Sequence, residues 1–108
     1  MTLKEKRILF TSLLPLLINK MIEAGFKPMI GRDGLKHMKN SLHFDGLAVD
    51  IDLNDKDGKY LTDAESHRQF GIFWESLHPD AFWGGDGTKS DGLKHDANHY
   101  SITDGGRK

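Results

Sequence analysis

The 108-residue sequence contains no cysteine and almost no excess of charge of either sign. The lack of cysteine excludes disulfide bonds, thiolate metal sites and a cysteine nucleophile, although it leaves the redox compartment open. Lys plus Arg number 15 and Asp plus Glu number 16, for a formal net charge of -1. Because a nucleic-acid or acidic-lipid partner normally requires a basic excess, we expect no nucleic-acid partner. The length fits one domain over residues 1–108.

Long hydrophobic runs are also missing. The apolar run over residues 8–18 is too short to span a membrane. It follows Lys4, Lys6 and Arg7 and so resembles the start of a signal peptide, but no small-residue cleavage site comes after it. We therefore interpret the run as an amphipathic core helix and expect no stable membrane insertion.

Helical spacing of apolar residues predicts a first helix whose secure part is 12–24. Two starting points fit. Thr2 and Glu5 have capping-box spacing, and Ser12 would place Pro15 in the first turn, where its missing N–H costs little.

A second amphipathic helix of about four turns is predicted from apolar residues at i, i+3, i+4 and i+7. These residues are Phe70, Phe73, Trp74 and Leu77. Thr62 and Glu65 have capping-box spacing just before them, so we expect the helix to begin at Thr62.

Alternation of polar and apolar residues predicts a strand over 46–53, with Asp50 on the face opposite a buried row. Shorter strands are expected over 26–30 and 97–103, the latter with His99 on the face opposite Tyr100. Since helices and short strands are interspersed, the fold class is α+β, a small antiparallel sheet with flanking helices.

Two clusters carry candidate chemistry, one from Ser41 to Asp50 and one from Asp96 to Tyr100. Zinc accepts imidazole and carboxylate ligands, and a catalytic zinc keeps three protein ligands and one open position. His43, Asp50 and His99 can fill these positions. Asp96, three residues before His99, is then a candidate general base. On residue types alone, plain surface histidines remain the alternative.

The two clusters resemble the signature of the M15 family of zinc peptidases, the D-Ala-D-Ala carboxypeptidase and phage endolysin group. That family carries Ser-x-His-x-x-Gly-x-Ala-x-Asp followed by Asp or Glu-x-x-His. Every fixed position is matched, by Ser41, His43, Gly46, Ala48, Asp50, Asp96 and His99. The resemblance implies a Hedgehog/DD-peptidase-like fold, a Zn²⁺ cofactor held by the two histidines and Asp50, and Asp96 as the general base.

The resemblance extends over most of the chain and implies further roles. Arg32 is similar in position to an arginine that contacts substrate or steadies the oxyanion, although Gly31-Arg32-Asp33 matches the family only loosely. The small members of the family are phage endolysins that cut between L-Ala and D-Glu in the peptidoglycan stem peptide. We therefore expect a monomeric wall hydrolase, held in the host cytoplasm until lysis.

Alternatives stay open at this stage. The same resemblance permits a D-Ala-D-Ala carboxypeptidase, or a non-catalytic, zinc-containing protein that binds the cell wall. His95 is a weaker ligand candidate because, on a strand, it lies far from His99. The other histidines, His37, His67 and His78, are expected at the surface. Trp83 is expected either in a substrate cleft or buried under the loop that carries it.

Overall fold

The computed structural model describes residues 1–31, 41–43, 45–86 and 96–108. Within these ranges there are two helices and five short strands, in the order α1 (Leu3–Glu23), β1 (Lys27–Ile30), β2 (Ala48–Asn54), β3 (Tyr60–Leu61), α2 (Ala64–Ser76), β4 (Ala81–Trp83) and β5 (His99–Ile102). The pairs that these strands form are antiparallel, and the sheet order is β1-β2-β5-β4 with β3 paired to β2. The predicted α+β class is confirmed.

Helix α1 begins at Leu3, so the start at Ser12 is wrong. The capping box is complete: the Thr2 hydroxyl accepts from the Glu5 amide at 3.1 Å, and the Glu5 carboxylate accepts from the Thr2 amide at 2.8 Å. Pro15 consequently lies inside the helix, not in its first turn. An interior proline removes one hydrogen bond at a cost of about 3 kcal/mol, so tertiary packing has to hold this helix together.

The end of α1 is set by Gly25, whose φ of 94° is accessible to glycine at little cost. The Gly25 amide donates to Ile22 and the Phe26 amide donates to Met21, each at 3.0 Å. This is the Schellman pattern, which satisfies main-chain oxygens at a helix end. It turns the chain directly into β1.

Helix α2 begins at Ala64 with Asp63 as its N-cap, so the expected Thr62 cap is wrong. The Asp63 carboxylate accepts both the Ser66 amide, at 3.0 Å, and the Ser66 hydroxyl, at 2.7 Å. A carboxylate that accepts two hydrogen bonds at the positive end of a helix satisfies this terminus without Thr62.

The core lies between the two helices and one face of the sheet. Its buried members are Phe10, Leu17, Met21, Ile51, Leu53, Phe70, Trp74, Ala81, Trp83, Tyr100 and Ile102. Ile51 and Leu53 alternate with Asp50 and Asp52 along β2, so the carboxylates lie on the sheet face that points away from the helices. Among the described residues, no helix is both long enough and apolar enough to cross a membrane.

Candidate metal centre

Two of the candidate ligands face each other across neighbouring strands. In the antiparallel pair of β2 and β5, Asp50 lies directly opposite His99. Side chains of directly opposed residues start from Cβ atoms about 5 Å apart and share one face of the sheet. Because Tyr100 belongs to the core, the neighbouring His99 points to the other face, where Asp50 lies.

The third candidate ligand, His43, comes from the turn that leads into β2. Leu42 is buried, and its main-chain oxygen accepts from the Leu47 amide at 2.9 Å. The Ser41 hydroxyl accepts from the His43 amide at 3.1 Å. The turn is therefore anchored by a buried leucine and closed by a serine, and this holds the His43 side chain over the sheet.

The three side chains converge on one point. His43 Nε2 lies 3.2 Å from His99 Nδ1 and 3.5 Å from Asp50 Oδ1. His99 Nδ1 lies 3.6 Å from Asp50 Oδ1. One ligand atom from each of the three residues lies within 4.8 Å of the others. Two imidazole nitrogens and a carboxylate oxygen so arranged can bind a metal ion.

The surroundings of Asp50 fit a cation. Its side chain is 16% exposed, and Oδ1 is buried without a hydrogen bond from any residue in the described part of the chain. A buried polar atom left without a partner costs about 1–3 kcal/mol. A metal ion between Asp50 and the two histidines would supply the missing partner.

The surroundings of His99 favour its protonated form. Burial alone would lower the pKa of its imidazole. The groups beside the ring outweigh that effect and raise the pKa of His99: the Asp50 carboxylate, whose Oδ1 lies 3.6 Å from Nδ1, the main-chain oxygen of Lys108 and the negative charge of Asp96. The same negative groups would favour a bound cation.

Asp96 lies where the sequence places it, in the turn before β5. Its carbonyl oxygen accepts from the His99 amide at 3.1 Å, and its amide donates to Gly84 at 3.1 Å. The residue is exposed. Its main chain is therefore fixed beside a candidate ligand, and the residue is open to solvent.

Gly84, after β4, makes this arrangement possible and has no counterpart in the sequence prediction. A Cβ at Gly84 would lie 2.3 Å from the Asp96 carbonyl oxygen and 2.9 Å from His99 Cβ. Its amide donates to the His99 oxygen at 2.8 Å. The glycine pair after Trp83 was the available signal, since glycine is often found where two backbones approach closely.

The remaining residues singled out in the sequence have different outcomes. Arg32, His37 and His95 lie outside the described residues. Trp83 is buried, and its indole N–H donates to the Ala97 oxygen at 2.7 Å. Of its two expected places, burial is therefore the one observed.

The surface position expected for His67 is wrong. His67 is 1% exposed, and its Nδ1 lies 2.9 Å from the Tyr100 hydroxyl. The signal was present in the sequence, because His67, Phe70 and Trp74 follow one another at i, i+3 and i+7 on the buried face of α2.

Comparison of the chain with protein-family models and with curated proteins finds no match.

Proposed function

We propose that this protein is a zinc-dependent peptidase that hydrolyses peptidoglycan stem peptides. The observation that carries the proposal is the convergence of His43, Asp50 and His99, with ligand atoms within 4.8 Å of one another. The sequence resemblance to the M15 peptidases supports the same three residues as ligands. One argument rests on spacing along the chain and the other on distances in space.

Zinc is the metal that the donor set favours. Two imidazole nitrogens and one carboxylate oxygen are typical of zinc sites that keep one position open for chemistry. Calcium and magnesium prefer sites built from oxygen ligands. The lack of cysteine also removes the thiolates that many closed, structural zinc sites use.

When bound, zinc acidifies a water molecule and polarises a peptide carbonyl. In the proposed reaction Asp96 accepts a proton from the attacking water and delivers it to the leaving amine. Asp96 also lines a polar cleft of about 190 Å³, together with Tyr60, Thr62 and Asn98. Arg32 is proposed to steady the developing negative charge on the carbonyl oxygen.

The bond between L-Ala and D-Glu is the proposed point of cleavage, as in small phage endolysins. The proposal includes a monomeric protein that acts on the cell wall at lysis. Digestion of purified peptidoglycan, followed by mass spectrometry of the fragments, tests the bond. New N-terminal D-Glu supports the endopeptidase, released D-Ala indicates a carboxypeptidase, and an undigested wall indicates a binding protein.

The role of Asp96 is tested with Asp96→Asn. The variant should keep the fold and bind zinc as tightly as the unmodified protein, because Asp96 is not one of the three ligands. It should lose nearly all hydrolysis, typically a factor of about 10²–10⁴ for a missing general base. Asp57→Asn, in the exposed turn before β3, is the matched control and should remain active. An active Asp96→Asn protein would remove Asp96 from the mechanism.

The ligand set is tested with His43→Ala, which should lose zinc in elemental analysis of the dialysed protein. His78→Ala removes a histidine outside the cluster, where His78 Nδ1 accepts from the Asp80 amide at 3.0 Å, and should retain zinc. Equal zinc contents in the two variants would contradict the assigned ligands.

A further inference from the structure

The segment that follows β5, residues 103–108, folds back against the metal centre and is here called the 103–108 turn. Asp104 and Arg107 form an isolated antiparallel bridge in it. Lys6 of α1 anchors the turn, since its ammonium group donates to the Asp104 carboxylate at 2.9 Å and to the Thr103 oxygen at 3.1 Å. The turn is thus held from the helix side of the molecule.

One end of the 103–108 turn contacts a metal-ligand candidate directly. The main-chain oxygen of Lys108 lies 2.6 Å from His99 Nε2. The same oxygen accepts from the Ser101 hydroxyl at 3.1 Å. An oxygen of this kind can only accept, so the hydrogen of the short contact belongs to His99 Nε2. In a neutral imidazole the lone pair then lies on Nδ1, the nitrogen that faces His43 and Asp50.

The other contact of the turn reaches the segment that carries His43. The Arg107 guanidinium lies 2.7 Å from the Asp45 carboxylate and 2.5 Å from the Asp104 carboxylate. Asp45 is two residues from His43, in the same anchored turn before β2. Arg107 therefore ties together the segments that carry the two histidines.

We propose that the 103–108 turn is a positioning element of the metal centre: Lys108, through its main-chain oxygen, selects the Nε2–H form of His99, and Arg107 fixes the turn to the segment of His43. The proposal rests on the metal binding of the proposed function and adds to it a group that sets which nitrogen of His99 binds the metal. Hydrogen-bond partners that orient ligand imidazoles typically change metal affinity by about 10–100-fold.

The test compares Arg107→Gln with the unmodified protein by zinc competition against a chromophoric chelator. Arg107→Gln should bind zinc about 10–100-fold more weakly, and Arg107→Lys should recover part of the loss. Arg68→Gln is the matched control, because it breaks an arginine–carboxylate pair, Arg68 with Glu65 at 2.8 Å, on the exposed side of α2. Its zinc affinity should stay within about twofold of the unmodified protein.

A second measurement separates positioning from a general loss of stability. Nitrogen NMR of the metal-free protein, at a pH above the titration midpoint measured for His99 in the same protein, should show the His99 proton on Nε2. In Arg107→Gln the proton should be shared between the two nitrogens. Should Arg107→Gln not fold, Ser101→Ala takes its place, since it removes the second donor that holds the Lys108 oxygen. It should weaken zinc binding by about 10-fold, at the low end for a group that orients a ligand imidazole.

The outcomes are distinct. An unmodified protein that binds no zinc overturns the proposed function itself. If the unmodified protein binds zinc and Arg107→Gln, or Ser101→Ala in its place, binds it equally well, the metal site stands and the positioning role is refuted. A His99 proton found on Nδ1 in the unmodified protein also refutes it.

Discussion

At the scale of single residues, Asp50 meets opposite requirements from folding and from metal binding. Its Oδ1 atom is buried without a hydrogen bond from the described residues, which disfavours the metal-free fold, yet the same bare oxygen is a ready ligand. Natural functional sites commonly hold groups that lower stability while they enable chemistry.

Asp50→Asn should therefore separate the two requirements. The amide keeps the shape of the carboxylate but loses its charge, so we expect zinc affinity to fall by more than about 100-fold, beyond the effect of losing an orienting hydrogen bond. The metal-free protein should unfold in urea with a free energy within about 1 kcal/mol of the original. Asp52→Asn is the control: Asp52 lies on the same strand face, accepts from Tyr60 and Asn98, and should leave zinc binding unchanged. Unaltered affinity in Asp50→Asn would exclude Asp50 as a ligand.

Among the described residues, His67 and His99 have pKa values that are shifted in opposite directions. Burial lowers the pKa of His67, whereas the acceptors around His99 raise its pKa. In the metal-free protein, NMR titration should find His67 protonating below pH 6.5 and His99 above it.

The sign of each stability contribution follows from these shifts. As pH falls through 6.5, His67 binds a proton in the unfolded chain before it does so in the folded protein. Acid therefore lowers the free energy of unfolding through His67. His99 does the reverse: its contribution is complete below 6.5 and disappears as pH rises through its higher folded pKa. Identical titration midpoints for His67 and His99 would contradict the opposite pKa shifts that their surroundings predict.

At the scale of elements, the sequence predicts the part of the site that depends on strand periodicity. Alternation along β2 puts Asp50 on the face away from the core, and the apolar Tyr100 puts His99 on the same face. It does not predict the contact of Arg107 with Asp45, because the two are 62 positions apart and salt bridges have no sequence period. Nor does it predict the Lys108 contact, since a main-chain oxygen leaves no residue signature.

Element boundaries were harder to predict for a local reason. Pro15 favoured a helix start at Ser12, because proline is tolerated in a first turn. In the structure the buried residues Phe10 and Leu17 lie on either side of Pro15. Burial of such side chains, about 1.5–3 kcal/mol each, offsets the interrupted hydrogen bond.

At Gly71, the close packing of α2 against β4 outweighs the low helix propensity of glycine. It lies inside α2, where alanine is ordinarily favoured by about 1 kcal/mol. A Cβ at Gly71, however, would lie 2.1 Å from the Trp83 ring of β4. Gly71→Ala should therefore destabilise the protein, by about 1–3 kcal/mol, in chemical denaturation. The control is Ser76→Ala, at the exposed end of α2. Gly58→Ala is unsuitable because φ at Gly58 is 85°, where alanine is strained. A more stable Gly71→Ala protein would show that α2 and β4 pack less closely.

At the scale of the whole molecule, metal binding and folding should be coupled. The three candidate ligands come from the turn before β2, from β2 and from β5, and they converge only in the folded chain. Free zinc at 100 times its Kd should thus add about 2.7 kcal/mol to the free energy of unfolding. Differential scanning calorimetry with zinc and with EDTA measures the change in Tm. His43→Ala should show no such difference, and an equal zinc effect in both proteins would locate the metal elsewhere.

The direct opposition of Asp50 and His99 has a consequence for how the chain reaches its native state. A slip of one position between β2 and β5 would send every side chain of the slipped strand to the other face of the sheet. The Asp50 carboxylate and the His99 imidazole would then lie on opposite faces of the sheet, and they could not bind the same cation. A bound ion would stabilise only the native register of β2 and β5. Divalent metal present during refolding would therefore favour correctly aligned sheets over misaligned ones.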